Sequence, residues 1–171
     1  GITIKNHALE VIDKEVHTIE WDAEAAEKDG YEHFMLKEIF EQPIVFKKTI
    51  AGRIHGGEVQ FDFDLSAEQV NSWNKIYIVA CGTAYHAGLV GKLVIEKMAR
   101  VPVEVDIASE FRYRDPFVDE NTLFIAISQS GETLDTLAAL REAKRKGARV
   151  LSVVNVVGSS VARESDDVFY T

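Results

Sequence analysis

The stretch Thr122-Leu123-Phe124-Ile125-Ala126-Ile127-Ser128-Gln129-Ser130-Gly131-Glu132-Thr133 decides the fold. Its apolar half is too short for a buried helix and has the continuous run of a strand covered on both faces, the form that strands of a parallel sheet take. Its polar half is small and contains a glycine, so it turns the chain. A helix reads from Leu134 to Lys146, stopped by Gly147 directly after Lys144-Arg145-Lys146, with basic residues in the last turn and a glycine beyond. Strand, turn and helix together make one βα unit. The same texture repeats on both sides, with strands at Lys75–Ala80, Pro102–Ile107, Arg149–Val154 and Asp167–Thr171. Helices fall between them at about Tyr85–Ala99, Glu110–Tyr113 and Val161–Glu164. The expected fold is therefore α/β, a three-layer α/β/α sandwich with a five-stranded parallel, flavodoxin-like sheet.

Upstream the pattern differs. Leu9, Val11, Val16, Thr18, Ile19 and Trp21 read as one or two strands around Asp13-Lys14. From Tyr31 to Phe40 the apolar residues follow helical spacing, and Pro43 either ends that helix or opens a second one through Ile50. Gly52–Asp64, with Gly56-Gly57, reads as a loop, and Ser66-Ala67-Glu68-Gln69 carries the Ser and Gln of a capping box before a short helix to Trp73. Downstream, an α/β unit that stops on Val168-Phe169-Tyr170 leaves apolar sheet surface open. That, with the missing initiator Met, points to a fragment; the alternative cover is the Tyr31–Ile50 helices or a partner subunit.

Composition narrows the function. The 171 residues are 46% hydrophobic and 27% charged, and 28 acidic against 19 basic residues give a net charge of −9, which repels nucleic-acid backbones. One cysteine makes no internal disulfide, which fits a reducing, cytoplasmic setting. No apolar run reaches the roughly 20 residues needed to span a bilayer, and no signal-peptide layout is present, so no membrane association is expected. His7, His17, His33 and His55 have no metal-ligand spacing, and neither a metal nor a cofactor is expected.

In open α/β sheets ligands bind beyond the carboxyl ends of the strands, near the point where strand order reverses. Two turns are built for that: Cys81-Gly82-Thr83-Ala84, and Ser128 to Thr133. In the second, Ser128, Ser130 and Thr133 bring hydroxyls, Gln129 an amide, and Gly131 lets the backbone come close to a ligand, at a helix start that favours phosphate. The plainer reading is that Ser130 only caps the helix. Glu132 sits inside the turn and supports it. A dinucleotide site is not supported: Asp106 lies 24 residues beyond Gly82, yet Gly82 and Gly88 do not form G-x-G-x-x-G, and no Walker lysine follows. Cys81 reads as a small hydrophobe at a strand end rather than a nucleophile, and His86 as a helix-surface or core residue. Glu110, Arg112, Arg114 and Asp115 read as a structural ion-pair network, and Asp62 with Asp64 as solvated.

The motifs Ala80-Cys81-Gly82-Thr83-Ala84-Tyr85-His86-Ala87-Gly88, Ala108-Ser109-Glu110-Phe111-Arg112-Tyr113-Arg114, Ser128-Gln129-Ser130-Gly131-Glu132-Thr133-Leu134-Asp135-Thr136 and Asn155–Asp166 closely resemble the glucosamine-6-phosphate synthase family (glutamine:fructose-6-phosphate aminotransferase, isomerising). The likeness is to the first of its two sugar isomerase (SIS) domains, and Tyr31–Pro43 is similar to the family's helical connector. The resemblance divides the chain into the end of a glutaminase-domain and linker segment at 1–30, a helical linker at 31–73, and a first SIS domain at 74–171 truncated at its C-terminal end. It implies a part in making glucosamine-6-phosphate and glutamate from fructose-6-phosphate and glutamine. By motif position Ser128, Gln129, Ser130 and Thr133 hold the sugar phosphate, while Cys81, Gly82 and Thr83 line the sugar. Ala84 stands where the family usually has a phosphate-binding serine. The family's catalytic groups lie outside this chain, in a glutamate and lysine just beyond Thr171, a partner subunit's histidine and a tail lysine, so the chain is expected to bind without catalysing. A homodimer is the family habit, and the glutaminase and second SIS domains are further partners. The alternative function is a non-catalytic sugar-phosphate sensor, which the absence of a basic DNA-binding segment disfavours.

Overall fold

The computed structural model describes residues 3–13 and 27–171. The expected strands around Asp13-Lys14 lie mostly outside these. The chain divides into two compact units, Gly1–Lys47 and Lys48–Thr171.

In the first unit Lys5 and Val11 form an isolated antiparallel bridge, closed by Asn6, whose Oδ1 accepts the N–H groups of Ala8 and Glu10. Lys37 is buried at 3% exposure with its ammonium 2.8 Å from Asp29. Helix α1 runs from Phe34 to Ile50 and begins three residues later than the spacing from Tyr31 predicts. Pro43 neither ends it nor starts another: the helix continues through it. Proline has no N–H to give the Ile39 carbonyl, but the helix-forming residues on both sides carry the ladder past that one missing bond.

The second unit opens with a correction to the expected loop. Ile54–His55 (β1) and Glu58–Val59 (β2) pair as a small antiparallel hairpin. Gly56 and Gly57 adopt φ of +61° and +87°, the pair of left-handed conformations that a two-residue hairpin turn demands. The capping box forms: Ser66 Oγ accepts the Gln69 N–H at 3.1 Å, Gln69 Oε1 accepts the Ser66 N–H at 3.0 Å, and α2 follows from Ala67 to Ser72.

The sheet is as the sequence predicts. Five parallel strands, β3 (Lys75–Ala80), β4 (Val103–Ile107), β5 (Thr122–Ser128), β6 (Arg149–Val154) and β7 (Asp167–Tyr170), lie in the order β4-β3-β5-β6-β7. Order therefore reverses between β3 and β5, which makes the carboxyl ends of those two strands the expected ligand crevice.

Helix α3 (Gly82–Ala99) covers one face, where Ile76, Ile78, Val103 and Leu123 form a core with Ile95. The approach is close: a Cβ on Gly88 would lie 2.9 Å from Ile78 Cγ2. The other face is covered by α4 (Ala108–Phe111), α5 (Leu134–Arg145) and α6 (Ser160–Glu164). Its centre is an aromatic row in which Phe111 meets Tyr77 and Phe124 edge-on, with ring centroids 5.3 and 5.2 Å apart. The expected turn at Glu110–Tyr113 resolves into α4 and a 3-10 turn at Arg112–Arg114. There Arg114 binds Asp106 at 2.8 Å, so that carboxylate serves an ion pair. Gly147 ends the α5 segment at φ +95° as its sequence context requires.

At the last strand, Asp167 accepts a bidentate pair of bonds from Arg149 at 2.7 and 3.0 Å. Phe169 is covered from within the unit: the Arg53 guanidinium stacks 4.2 Å from its ring centroid and Phe61 meets it edge-on. That cover comes from the Gly52–Asp64 segment. Among the described residues no helix is long and apolar enough to cross a membrane, and no group of three or more His, Cys, Asp or Glu is placed to hold a metal ion.

Candidate functional site

At the switch point the ends of β3 and β5 open into a cleft of about 180 Å³ lined by Cys81, Thr83, Ala84, Ile127, Ser128, Gln129, Ser130 and Thr133. Seven of the eight residues that the sequence singles out thus meet in one place. Gly82 is not among the lining residues; it is the first residue of α3, at φ +58°. The helix begins three residues earlier than its apolar spacing predicts, which moves Thr83 and Ala84 from a loop into its first turn. Ile127 was not foreseen as a lining residue. Its signal was present, since it alternates with the buried Ala126 and Ser128 at the strand end.

Two helix N-termini face this cleft, and neither has a side-chain cap. Cys81 precedes the 18-residue α3 and Thr133 precedes the 12-residue α5, both in extended conformation and both without a capping bond. The plainer reading of Ser130 as the helix cap therefore fails: the cap position belongs to Thr133, whose Oγ1 lies instead 3.3 Å from Ser128 Oγ. First-turn N–H groups left uncapped in this way, together with the positive helix end, attract an anion.

Between the helices the turn is wound on its own hydroxyls. Ser128 Oγ accepts the Gly131 N–H at 3.1 Å, and Ser130 Oγ accepts the Glu132 N–H at 3.3 Å. These N–H groups point at oxygen, the arrangement that a phosphate also satisfies. Gly131 holds φ +64° and is buried. A Cβ there would lie 2.0 Å from Ser159 Oγ and 2.5 Å from Ser159 Cβ, so only glycine fits.

The loop after β6 backs the turn. Asn155 N–H donates to the Gln129 carbonyl at 3.2 Å, Val161 N–H to the Gly131 carbonyl at 2.9 Å, and Ser160 N–H to Glu132 Oε1 at 2.8 Å. Hydrogen bonding from Ser160 holds the exposed Glu132 carboxyl below the usual carboxylate range. None of the lining side chains is an Asp, Glu, His or Lys, so the cleft walls offer hydrogen bonds and backbone dipoles rather than a group that takes up a proton near neutrality.

Residues 69–171 match the SIS domain family. The chain is 64% identical over its full length to glutamine–fructose-6-phosphate aminotransferase [isomerizing] of Clostridium acetobutylicum and 62% identical to that of Clostridium tetani, and spans 28% of the length of each. Among solved structures, the C-terminal domain of glucosamine-fructose-6-phosphate aminotransferase from Francisella tularensis superposes with a TM-score of 0.76 at 50% identity, over 85% of this chain and 41% of that one. The likeness to the synthase family read from the motifs is thus matched by relatives of high identity over the whole chain. On the family match, the strand order and the turn after β5, the chain belongs to the SIS domain family.

Proposed function

We propose that this chain is the first SIS domain of a glucosamine-6-phosphate synthase and binds fructose-6-phosphate in the cleft between β3 and β5. The observation that carries the reading is the convergence of two uncapped helix N-termini and four hydroxyls on one crevice at the point of strand reversal. Ser128, Gln129, Ser130 and Thr133 hold the phosphate, with Ala84 beside it. Cys81, Gly82 and Thr83 flank the sugar. The high identity to aminotransferases that are themselves named for fructose-6-phosphate supports this substrate.

The cleft is smaller than the roughly 300–1,000 Å³ usual for small-molecule sites, which suits a phosphate head held here with the sugar completed by other parts of a longer polypeptide. The chain by itself binds without catalysing, because isomerisation needs a base at the C1/C2 protons and the lining supplies none. Residues 1–30 belong with a glutaminase-side segment, 31–73 with a linker and 74–171 with the SIS domain. No metal or cofactor takes part, and the work is cytoplasmic. Pairing with a second copy, and packing against a second SIS domain, is supported by the apolar stripe on α3, where Val90, Leu93 and Met98 are 62%, 68% and 79% exposed.

Calorimetry tests the reading. Fructose-6-phosphate and glucosamine-6-phosphate bind saturably and fructose does not, and Ser128→Ala or Thr133→Ala weakens binding about 10-fold, the worth of one hydrogen bond to a charged group. Equal binding of fructose, or no binding by the folded chain, overturns it.

A further inference from the structure

Within the phosphate turn one side chain faces away from the ligand cleft and still touches the machinery that shapes it. Glu132 is exposed and does not line the cleft, but its carboxylate takes the N–H of Ser160, the first residue of α6. The backbone around it is pinned from the same side: the Gly131 carbonyl accepts from Val161, the Gln129 carbonyl from Asn155, and Ser159, 2% exposed, fills the space over Gly131 where any larger residue would need its Cβ. The bonds to the Gln129 and Gly131 carbonyls run from backbone to backbone and need no particular side chain. Among the described residues, the Glu132 bond is the one hydrogen bond of this backing that a side chain accepts.

We propose that Glu132 is a positioning residue whose carboxylate, bound to the Ser160 N–H, locks the phosphate turn against the loop after β6 and so holds Ser128, Ser130 and Thr133 in place along the cleft for a phosphate. This rests on the sugar-phosphate reading of the cleft. The role is one of hydrogen-bond acceptance rather than charge, because a carboxylate beside a bound phosphate repels it. An amide oxygen at the same place accepts the same bond without that repulsion.

The molecule allows a clean test. Ser159 has φ −61° and ψ 163°, the extended conformation that a following proline requires, and Ser160 is the first helical residue, where proline is tolerated. Ser160→Pro therefore removes the donor N–H with the helix kept. It also removes the hydroxyl, which accepts from Arg163 at 3.1 Å and also hydrogen-bonds the Glu132 carboxyl, a loss that Ser160→Ala reproduces on its own.

The full chain and its Glu132→Ala, Glu132→Gln, Ser160→Ala, Ser160→Pro and Glu132→Ala/Ser160→Pro variants are titrated with fructose-6-phosphate, and amide exchange of residues 129–133 is followed without ligand. Glu132→Ala and Ser160→Pro each weaken binding about 3- to 10-fold, the double variant no further than either alone; Glu132→Gln binds as the parent does or slightly tighter, and Ser160→Ala, which keeps the N–H, loses less than Ser160→Pro. Exchange in the turn quickens in the same variants that lose affinity. Additive losses, a Glu132→Gln loss equal to that of Glu132→Ala, or unchanged exchange in Glu132→Ala overturns the proposal. If the parent chain binds no sugar phosphate while exchange still follows this pattern, the lock stands and the ligand assignment falls.

Discussion

Gly131→Ala puts the description of the turn at risk in the most direct way. Alanine at φ +64° sits in the left-handed region, at a cost of about 1–2 kcal/mol. Its Cβ would stand 2.0 Å from Ser159 Oγ and 2.5 Å from Ser159 Cβ, and Ser159 has nowhere to go because it is buried and precedes α6. Overpacking of this kind costs about 1–3 kcal/mol. Alanine also stiffens the unfolded chain, which returns roughly 0.4–1 kcal/mol. The expected net loss is about 2–4 kcal/mol, read as a fall in urea midpoint at constant m and in Tm by roughly 5–15 °C. A second variant separates the causes. Ser159→Gly removes the atoms in the way, and since Ser159 Oγ has no hydrogen-bond partner and glycine is tolerated before a helix, it costs only a few tenths by itself. In the Gly131→Ala/Ser159→Gly double variant the overlap part of the loss is recovered and the backbone part remains. A loss under about 0.5 kcal/mol in Gly131→Ala, or no recovery in the double variant, refutes the close approach of the β6–α6 loop to the turn.

Two further outcomes follow from the same structure. Ala84→Ser places a hydroxyl at the half-buried wall of the cleft beside the phosphate turn, and is expected to tighten sugar-phosphate binding up to about 10-fold in calorimetry; weaker binding counts against the placement of the phosphate. Glu104 lies below the usual carboxylate range because the Tyr77 hydroxyl donates to it at 2.6 Å and Lys75 sits 2.9 Å away. A depressed folded value means that its stabilisation is complete above the unfolded pKa of about 4.3 and is lost as pH falls below that. Urea midpoints measured through that range should therefore fall less steeply in Glu104→Gln than in the parent, and equal slopes would contradict the assignment.

The sheet was legible because its signals are local. Most strands are short apolar runs; β3 and β6 fall on Lys75–Ala80 and Arg149–Val154 as read, and β4, β5 and β7 each differ from the reading by one residue at one end. The two ligand turns were legible for the same reason, as polar stretches wedged between an apolar run and a helix. What the sequence hid lies in pairings between distant residues. Nothing near Gly131 announces that Ser159 will sit on it, and nothing near Glu132 names Ser160 as its donor, 28 residues on. The cover on Phe169 by Arg53 and Phe61 joins the start of the unit to its last strand. Pro43 misled in the opposite way: a strong local breaker was overridden by helical residues on both sides. Gly56-Gly57 carried a hairpin signal that the reading as a loop passed over, because the flanking strands are only two residues each.

The most direct test of the central claim is a map of backbone amide shifts as fructose-6-phosphate is added. Phosphate binding at the switch point gives the largest changes at Ser128–Thr133, with smaller ones at Cys81–Ala84, and none of them when fructose replaces the sugar phosphate. Shifts centred elsewhere in the chain, or the same shifts with fructose, would contradict a phosphate-binding turn at the β3–β5 switch point.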